Sequence, residues 1–232
     1  MLTPFLLLAV LEAVPAKPGP LATLVALRPD TVRVFFVRHG QAYSNLDPKP
    51  KMDAAELDHL TALGQAQVKR TAEAVRAQGV SLVLTSPAGR ARESAETLVA
   101  ALGLSPASVE PRVRPFELGR SPDGKALGWR EREADWSAGR DPAPEGGESL
   151  RQLAGRVLDL VASLARKQQG HTVVVVTHGE VIAAVVGSLK SQPSREWEEL
   201  SVRNASVTVI EAAPGKPAKL MQVNASAEET KP

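Results

Sequence analysis

Apolar residues along this chain fall into two kinds of run. In Thr31-Val32-Arg33-Val34-Phe35-Phe36-Val37 the side chains are β-branched or aromatic and, after Arg33, uninterrupted by polar groups. A run of that kind predicts a strand covered on both faces, as in a parallel sheet. Val80-Ser81-Leu82-Val83-Leu84-Thr85 and Thr172-Val173-Val174-Val175-Val176 follow suit. Between these strands, residues 61–78, 89–102 and 149–169 space their apolar side chains near the helical repeat and meet stop signals at Gly79, Gly103 and Gly170. Alternating strand and helix predicts an α/β fold: a three-layer, doubly wound, mostly parallel sheet with helices on both faces. Further strands are expected near 109–113, 207–211 and 219–223, and a loop-rich insertion across 119–147.

The predicted strands end on polar residues: Arg38-His39-Gly40, Ser86-Pro87 and Thr177-His178-Gly179. Open parallel sheets bind ligands outside the carboxyl ends of their strands. Chain order alone therefore gathers Arg38, His39, Ser86, Arg90 and His178 at one end of the sheet. Taken singly, each arginine is equally a surface ion-pair former; two histidines that both cap apolar strands are harder to explain that way.

Residues 31–224 are expected to form one domain. Before it, residues 1–30 comprise an apolar segment, Leu2 to Val14, and a stretch punctuated by Pro15, Pro18 and Pro20. The apolar segment has the length of a cleavable leader, but no Lys or Arg precedes it and Glu12 interrupts it. It is too short to span a membrane. A cytoplasmic location is the expectation, with export behind a cleaved leader as the alternative. Residues 225–232 read as a polar tail.

Charge and composition narrow the chemistry. The 232 residues carry a formal charge of only +2 with acids and bases interspersed, which gives no basic stripe for nucleic acid. Cysteine is absent, so thiolate nucleophiles, disulfides and zinc–thiolate sites are all excluded. Four histidines remain: His39, His59, His171 and His178. His59 and His171 sit near a helix start and after a turn glycine, and are expected to face solvent. No metal-ligand cluster is legible, and no cofactor is implied.

The run Phe36-Val37-Arg38-His39-Gly40-Gln41-Ala42-Tyr43-Ser44-Asn45 resembles the N-terminal signature of the histidine phosphatase superfamily, the phosphoglycerate mutase-like family. Four more matches follow in family order: Leu60-Thr61-Ala62-Leu63-Gly64-Gln65-Ala66, Thr85-Ser86-Pro87-Ala88-Gly89-Arg90-Ala91, Pro144-Glu145-Gly146-Gly147-Glu148-Ser149 and Val176-Thr177-His178-Gly179. The resemblance implies a phosphoglycerate mutase-like fold and a phosphohistidine intermediate on His39. It also implies phosphate contacts from Asn45 and Gly179 and a proton donor at Glu117, with Asp123, Glu131 and Glu133 as rivals. Chemistry supports the rest: arginine forks at Arg38 and Arg90 suit a phosphate dianion, and His178 joins them in stabilising the transition state.

Gln41 departs from the glutamate common after Arg-His-Gly, at a position outside the phosphate contacts. The stretch from Glu117 to Pro144 is short where the mutase branch carries a long insertion, so water should reach a phosphoenzyme. A phosphomonoesterase acting on a small phosphorylated substrate is the leading reading. Phosphoglycerate mutase activity is the alternative, and a catalytically silent phosphate-binding module the third. Specificity is expected to reside in 119–147, which contains Trp129, Arg130, Arg132, Trp136 and Arg140.

Overall fold

The computed structural model describes residues 20–193, 196–197 and 201–226. Its organising element is β1 (Val32–Arg38), whose side chains divide between two cores as the pleat requires. Val32, Val34 and Phe36 enter one core and Phe35 and Val37 the other. The strand β6 (Thr172–Thr177) divides likewise, Val173 and Val175 to the first core, Val174 and Val176 to the second. Both faces are therefore dry, which is why these strands lack the alternation of a half-exposed sheet.

Six strands form the main sheet in the order β3-β2-β6-β1-β7-β8. Here β2 is Val80–Thr85 and β3 Ser108–Val109, while β7 (Val207–Ala212) and β8 (Lys219–Ala225) close the other edge. β1, β2, β3 and β6 run parallel; β7 and β8 add antiparallel pairs. The first core is covered by α5 (Leu150–Lys167) and α6 (Gly179–Leu189), the second by α2 (Ala62–Arg76) and α3 (Gly89–Leu102). This is the expected mostly parallel α/β sheet with helices on both faces.

Local chemistry sets the helix ends. Thr61 caps α2 by accepting from Gly64 N at 3.0 Å, and Ser149 caps α5 with Gln152 completing a capping box. Gly103 ends α3 at φ 70°, the left-handed conformation of a C-terminal glycine.

One expectation needs correction, and several elements went unread. The strand near 109–113 is only the pair 108–109, followed by a 3-10 turn at Pro111–Val113, because Pro111 lacks the N–H that a continuing ladder needs. The insertion at 119–147 is loop-rich, as expected, but also carries regular elements. It holds β4 (Leu118–Arg120) paired with β5 (Glu145–Gly147), and between them α4 (Trp129–Ser137), which buries Arg132 and Trp136. α6 was not legible at all: Val181 to Gly187 are all buried, so no amphipathic stripe marks it. A short helix, α1 (Ala54–Leu57), also went unseen. β8 runs to Ala225, two residues past the expected strand at 219–223.

The apolar segment 2–14 lies outside the described residues, as does most of the tail. Residues after Pro20 do pack on the domain, Leu21 being buried and Arg33 donating to the carbonyl of Val25 at 2.6 Å. Among the described residues no helix is long and apolar enough to cross a membrane.

Candidate active site

The site starts from register. Parallel pairing of β1 with β6 sets Arg38 opposite Thr177, so the next residues along, His39 and His178, leave the sheet side by side. The amide of His39 still donates to Thr177 O at 2.9 Å, and the two imidazole centroids lie 5.2 Å apart. On the other edge of β6, Ser86 N donates to Val176 O, which turns the Ser86-to-Arg90 segment over the same end of the sheet.

His39 is buried, and its Nδ1 lies 2.7 Å from the carbonyl oxygen of Gly40. That contact assigns the proton to Nδ1 and leaves the lone pair on Nε2. Nε2 meets Arg90 Nε at 3.1 Å. Burial, then the Arg90 charge, lowers the His39 pKa to about 3, against the partial opposition of Gly40 O. His178 is also buried; its Nε2 lies 2.8 Å from Ser86 Oγ and its Nδ1 3.2 Å from Arg90 Nη2. Burial and the neighbouring His39, Arg90 and Arg38 hold its pKa well below the ordinary imidazole value. Both imidazoles are neutral near pH 7.

Arg90 is aimed by Asp58, whose Oδ1 pairs with Nη1 and whose Oδ2 accepts from Gly89 N at 2.6 Å. Arg38 lies across Gly179, where an added Cβ would sit 3.4 Å from its Cδ and Nε. Its Nη1 donates to Val202 O at 2.5 Å, and its buried Nε has no acceptor among the described residues. A donor left in that state is costly unless an acceptor comes to it. Gly179 also opens α6 directly after His178, adding the positive end of a helix dipole to two guanidinium groups. One carboxylate, Asp58, is hydrogen-bonded within this cluster, so the site is cationic and suited to a dianion.

Asn45 stands at the rim, exposed, with Oδ1 accepting from Ala42 N at 3.0 Å and from Asn204 Nδ2 at 3.3 Å. This leaves its Nδ2 as the free donor end. Glu117 is not brought into the cluster. Its carboxylate pairs with Arg114, Nε to Oε1 at 3.0 Å, and Arg114 holds its pKa below the usual carboxylate value. His59 and His171 are exposed as expected, and His59 pairs with Glu93.

Sequence reasoning missed Asp58, which carries no motif and lies 32 residues before Arg90. Asn204, in the run that leads into β7, donates from Nδ2 to the carbonyl of His39 at 3.1 Å. Among the described residues no group of three His, Cys, Asp or Glu side chains is placed to hold a metal ion.

A family profile for the histidine phosphatase superfamily, branch 1, matches residues 34–225. The chain belongs to that superfamily. Among curated relatives, a protein of Salmonella paratyphi B named "Probable phosphoglycerate mutase GpmB" is 26% identical over 185 residues, which is 78% of this chain and 85% of that one. Among solved structures, one described as mycobacterial hydrolase 2 is 31% identical with a TM-score of 0.67, covering 86% of this chain and 93% of its own. A mycobacterial glucosyl-3-phosphoglycerate phosphatase in complex with VO3 is 30% identical with a TM-score of 0.64, covering 84% and 99%. An Entamoeba histolytica phosphoserine phosphatase, 18% identical with a TM-score of 0.67, shares the fold. Histidine phosphatase superfamily membership and a phosphoglycerate mutase-like fold, both anticipated from the five motifs, therefore stand.

Proposed function

We propose that this chain hydrolyses small phosphate monoesters through a phosphohistidine on His39. The observation that carries the reading is the state of His39: neutral, with Nδ1 engaged by Gly40 O and Nε2 turned to Arg90. In this mechanism a substrate phosphate takes over the donors of Arg38 and Arg90 and the N-terminus of α6. Nε2 attacks phosphorus in line, the N–P bond forms, and the ester P–O bond breaks. His39 then carries positive charge, which Gly40 O stabilises through Nδ1–H. Charge on the equatorial oxygens is met by Arg38, Arg90, His178 and Asn45, donors already oriented before the reaction begins. Water next attacks phosphorus and gives a proton to the carboxylate that protonated the leaving alkoxide, the N–P bond breaks, and inorganic phosphate leaves.

The departing alkoxide needs a proton, and in this reading Glu117 supplies it. Glu117 is half exposed and its pair with Arg114 is a surface one, worth up to about 1 kcal/mol, so exchanging Arg114 for the leaving oxygen costs little. The lowered pKa runs against an acid role, and makes Glu133 and Glu180, which line an adjoining cavity, the rivals to test.

Hydrolysis is favoured over mutase transfer by the short 117–144 stretch, which leaves the phosphohistidine open to water. The decisive experiment is release of phosphate from an aryl phosphate, with acid-labile labelling of the protein by a phosphorylated substrate. Both should vanish in His39→Ala. Labelling that survives this substitution would sink the assignment, and bisphosphate-stimulated interconversion of phosphoglycerates would favour the mutase reading.

A further inference from the structure

A cavity of about 290 Å³ adjoins the phosphate site and shares Arg38 and Gly179 with it. Its wall includes all three tryptophans of the chain: Trp129, Trp136 and Trp197. Apart from Arg38, the charged groups lining it among the described residues are both acidic, Glu133 on α4 and Glu180 on α6; the other described lining residues besides the tryptophans are aliphatic or small. Such a volume lies at the small end of ligand pockets, which run to roughly 300–1,000 Å³.

We propose that this cavity receives the alcohol part of the substrate and selects an alcohol bearing an alkylammonium group, as in choline phosphate or ethanolamine phosphate. The inference rests on the phosphomonoesterase reading above and names its substrate class. Three observations converge on it. Indole faces are the best side-chain partners for an ammonium group, and a desolvated contact is worth roughly a factor of ten in affinity. Here the rings are held in place: Phe116, Trp129 and Trp136 pack in one cluster with centroid separations of 5.7–6.1 Å.

Charge is the second observation. With Arg38 and Arg90 engaged by the phosphate, Glu133 and Glu180 leave the adjoining cavity acidic. They attract a cationic leaving group and repel a carboxylate or a second phosphate. The nearby Arg132 does not reverse this. It is fully buried, hydrogen-bonded to the carbonyls of Pro142 and Glu148, stacked on Phe116 and Trp136, and absent from the cavity lining.

Third, the cavity meets the phosphate site at Arg38, so a short monoester can place phosphorus at His39 and its far end among the tryptophans. A neutral sugar could stack on the same rings and donate hydroxyls to the same carboxylates. Charge is therefore what a test must isolate.

Choline phosphate and 3,3-dimethylbutyl phosphate differ only in nitrogen replacing carbon, and hence in charge. We expect kcat/KM at least about tenfold higher for choline phosphate, with 3-phosphoglycerate poorer than either. The ratio should collapse toward one in the Glu133→Gln/Glu180→Gln double variant. Equal kcat/KM for the isosteric pair, or a preference for a sugar phosphate, overturns the ammonium site while aryl phosphate turnover keeps the phosphatase reading standing. Should aryl phosphate turnover fail too, the phosphatase reading fails and the cavity is judged by binding. All three tryptophans line it, so choline should change the intrinsic fluorescence saturably and 3,3-dimethylbutan-1-ol should not. Equal responses to both would overturn the proposal independently of catalysis.

Discussion

Arg90 directs Nε at Nε2 of His39 across 3.1 Å, so the arginine proposed to bind the phosphate also covers the lone pair of the proposed nucleophile. Its orientation depends on Asp58, which grips Nη1 and the start of α3 together. Asp58→Asn should therefore lower kcat/KM on the order of 10-fold or more by misplacing the guanidinium. Arg90→Ala, which removes the donor outright, should cost roughly 10²–10³ in kcat. Steady-state kinetics on an aryl phosphate checks both. An Asp58→Asn enzyme with wild-type kinetics would show that Arg90 holds its own position.

Acid should destabilise this protein earlier than carboxylate protonation alone would. In the folded state His39 is depressed to about 3 and His178 is well below its ordinary value. In the unfolded chain both take up protons near pH 6.5. Stability is therefore complete above that pH and declines as pH falls below it, by about 1.4 kcal/mol per pH unit per histidine. For His39 the decline continues to about pH 3. Urea midpoints at pH 7, 6 and 5 should fall in sequence, and His178→Gln should flatten the slope. Imidazole NMR gives a direct readout: His59, raised by Glu93, should titrate above 6.5 while His39 stays neutral down to pH 5.

Replacing Glu117 separates the candidate proton donors. Glu117→Gln should reduce hydrolysis of alkyl phosphates far more than that of aryl phosphates, whose leaving groups need little protonation. Equal effects on both would transfer the role to Glu133 or Glu180, whose glutamine variants would then show the leaving-group dependence.

Two glycines interlock beneath the nucleophile. A Cβ on Gly64 would stand 2.0 Å from Gln41 O, and one on Gly40 2.4 Å from Gly64 O. Backbone meets backbone here, so nothing flexible can yield. Gly64→Ala should cost about 1–3 kcal/mol through overpacking and lower kcat by shifting the His39 loop. Gly155→Ala, in α5 with no atom within 4 Å of its added Cβ, should be neutral or stabilising by about 0.5–1 kcal/mol. Denaturant midpoints and aryl phosphate kinetics of the two variants test the contrast.

Much of this site was readable before any coordinates. The apolar runs 31–37 and 172–176 declared two doubly buried strands, and each delivered a histidine at its carboxyl end. Arg38 and Arg90 followed from the same logic. Helix stops such as Gly103 were local chemistry and were legible as such. α4 was hidden by its sparse apolar content and α6 by its abundance, since neither presents a stripe of helical period.

From the sequence alone came the main strands and the helices α2, α3 and α5, the family resemblance and the residue types suited to a phosphate, because those depend on neighbours along the chain. Only the tertiary structure decided that Asp58 aims Arg90, that Ser86 meets His178, that Glu117 rests on Arg114, and that three tryptophans share one wall with Glu133 and Glu180. The reason is physical. Most of those contacts join residues far apart in the chain, and all are set by strand register and helix packing, which a one-dimensional pattern of apolar and polar positions does not encode.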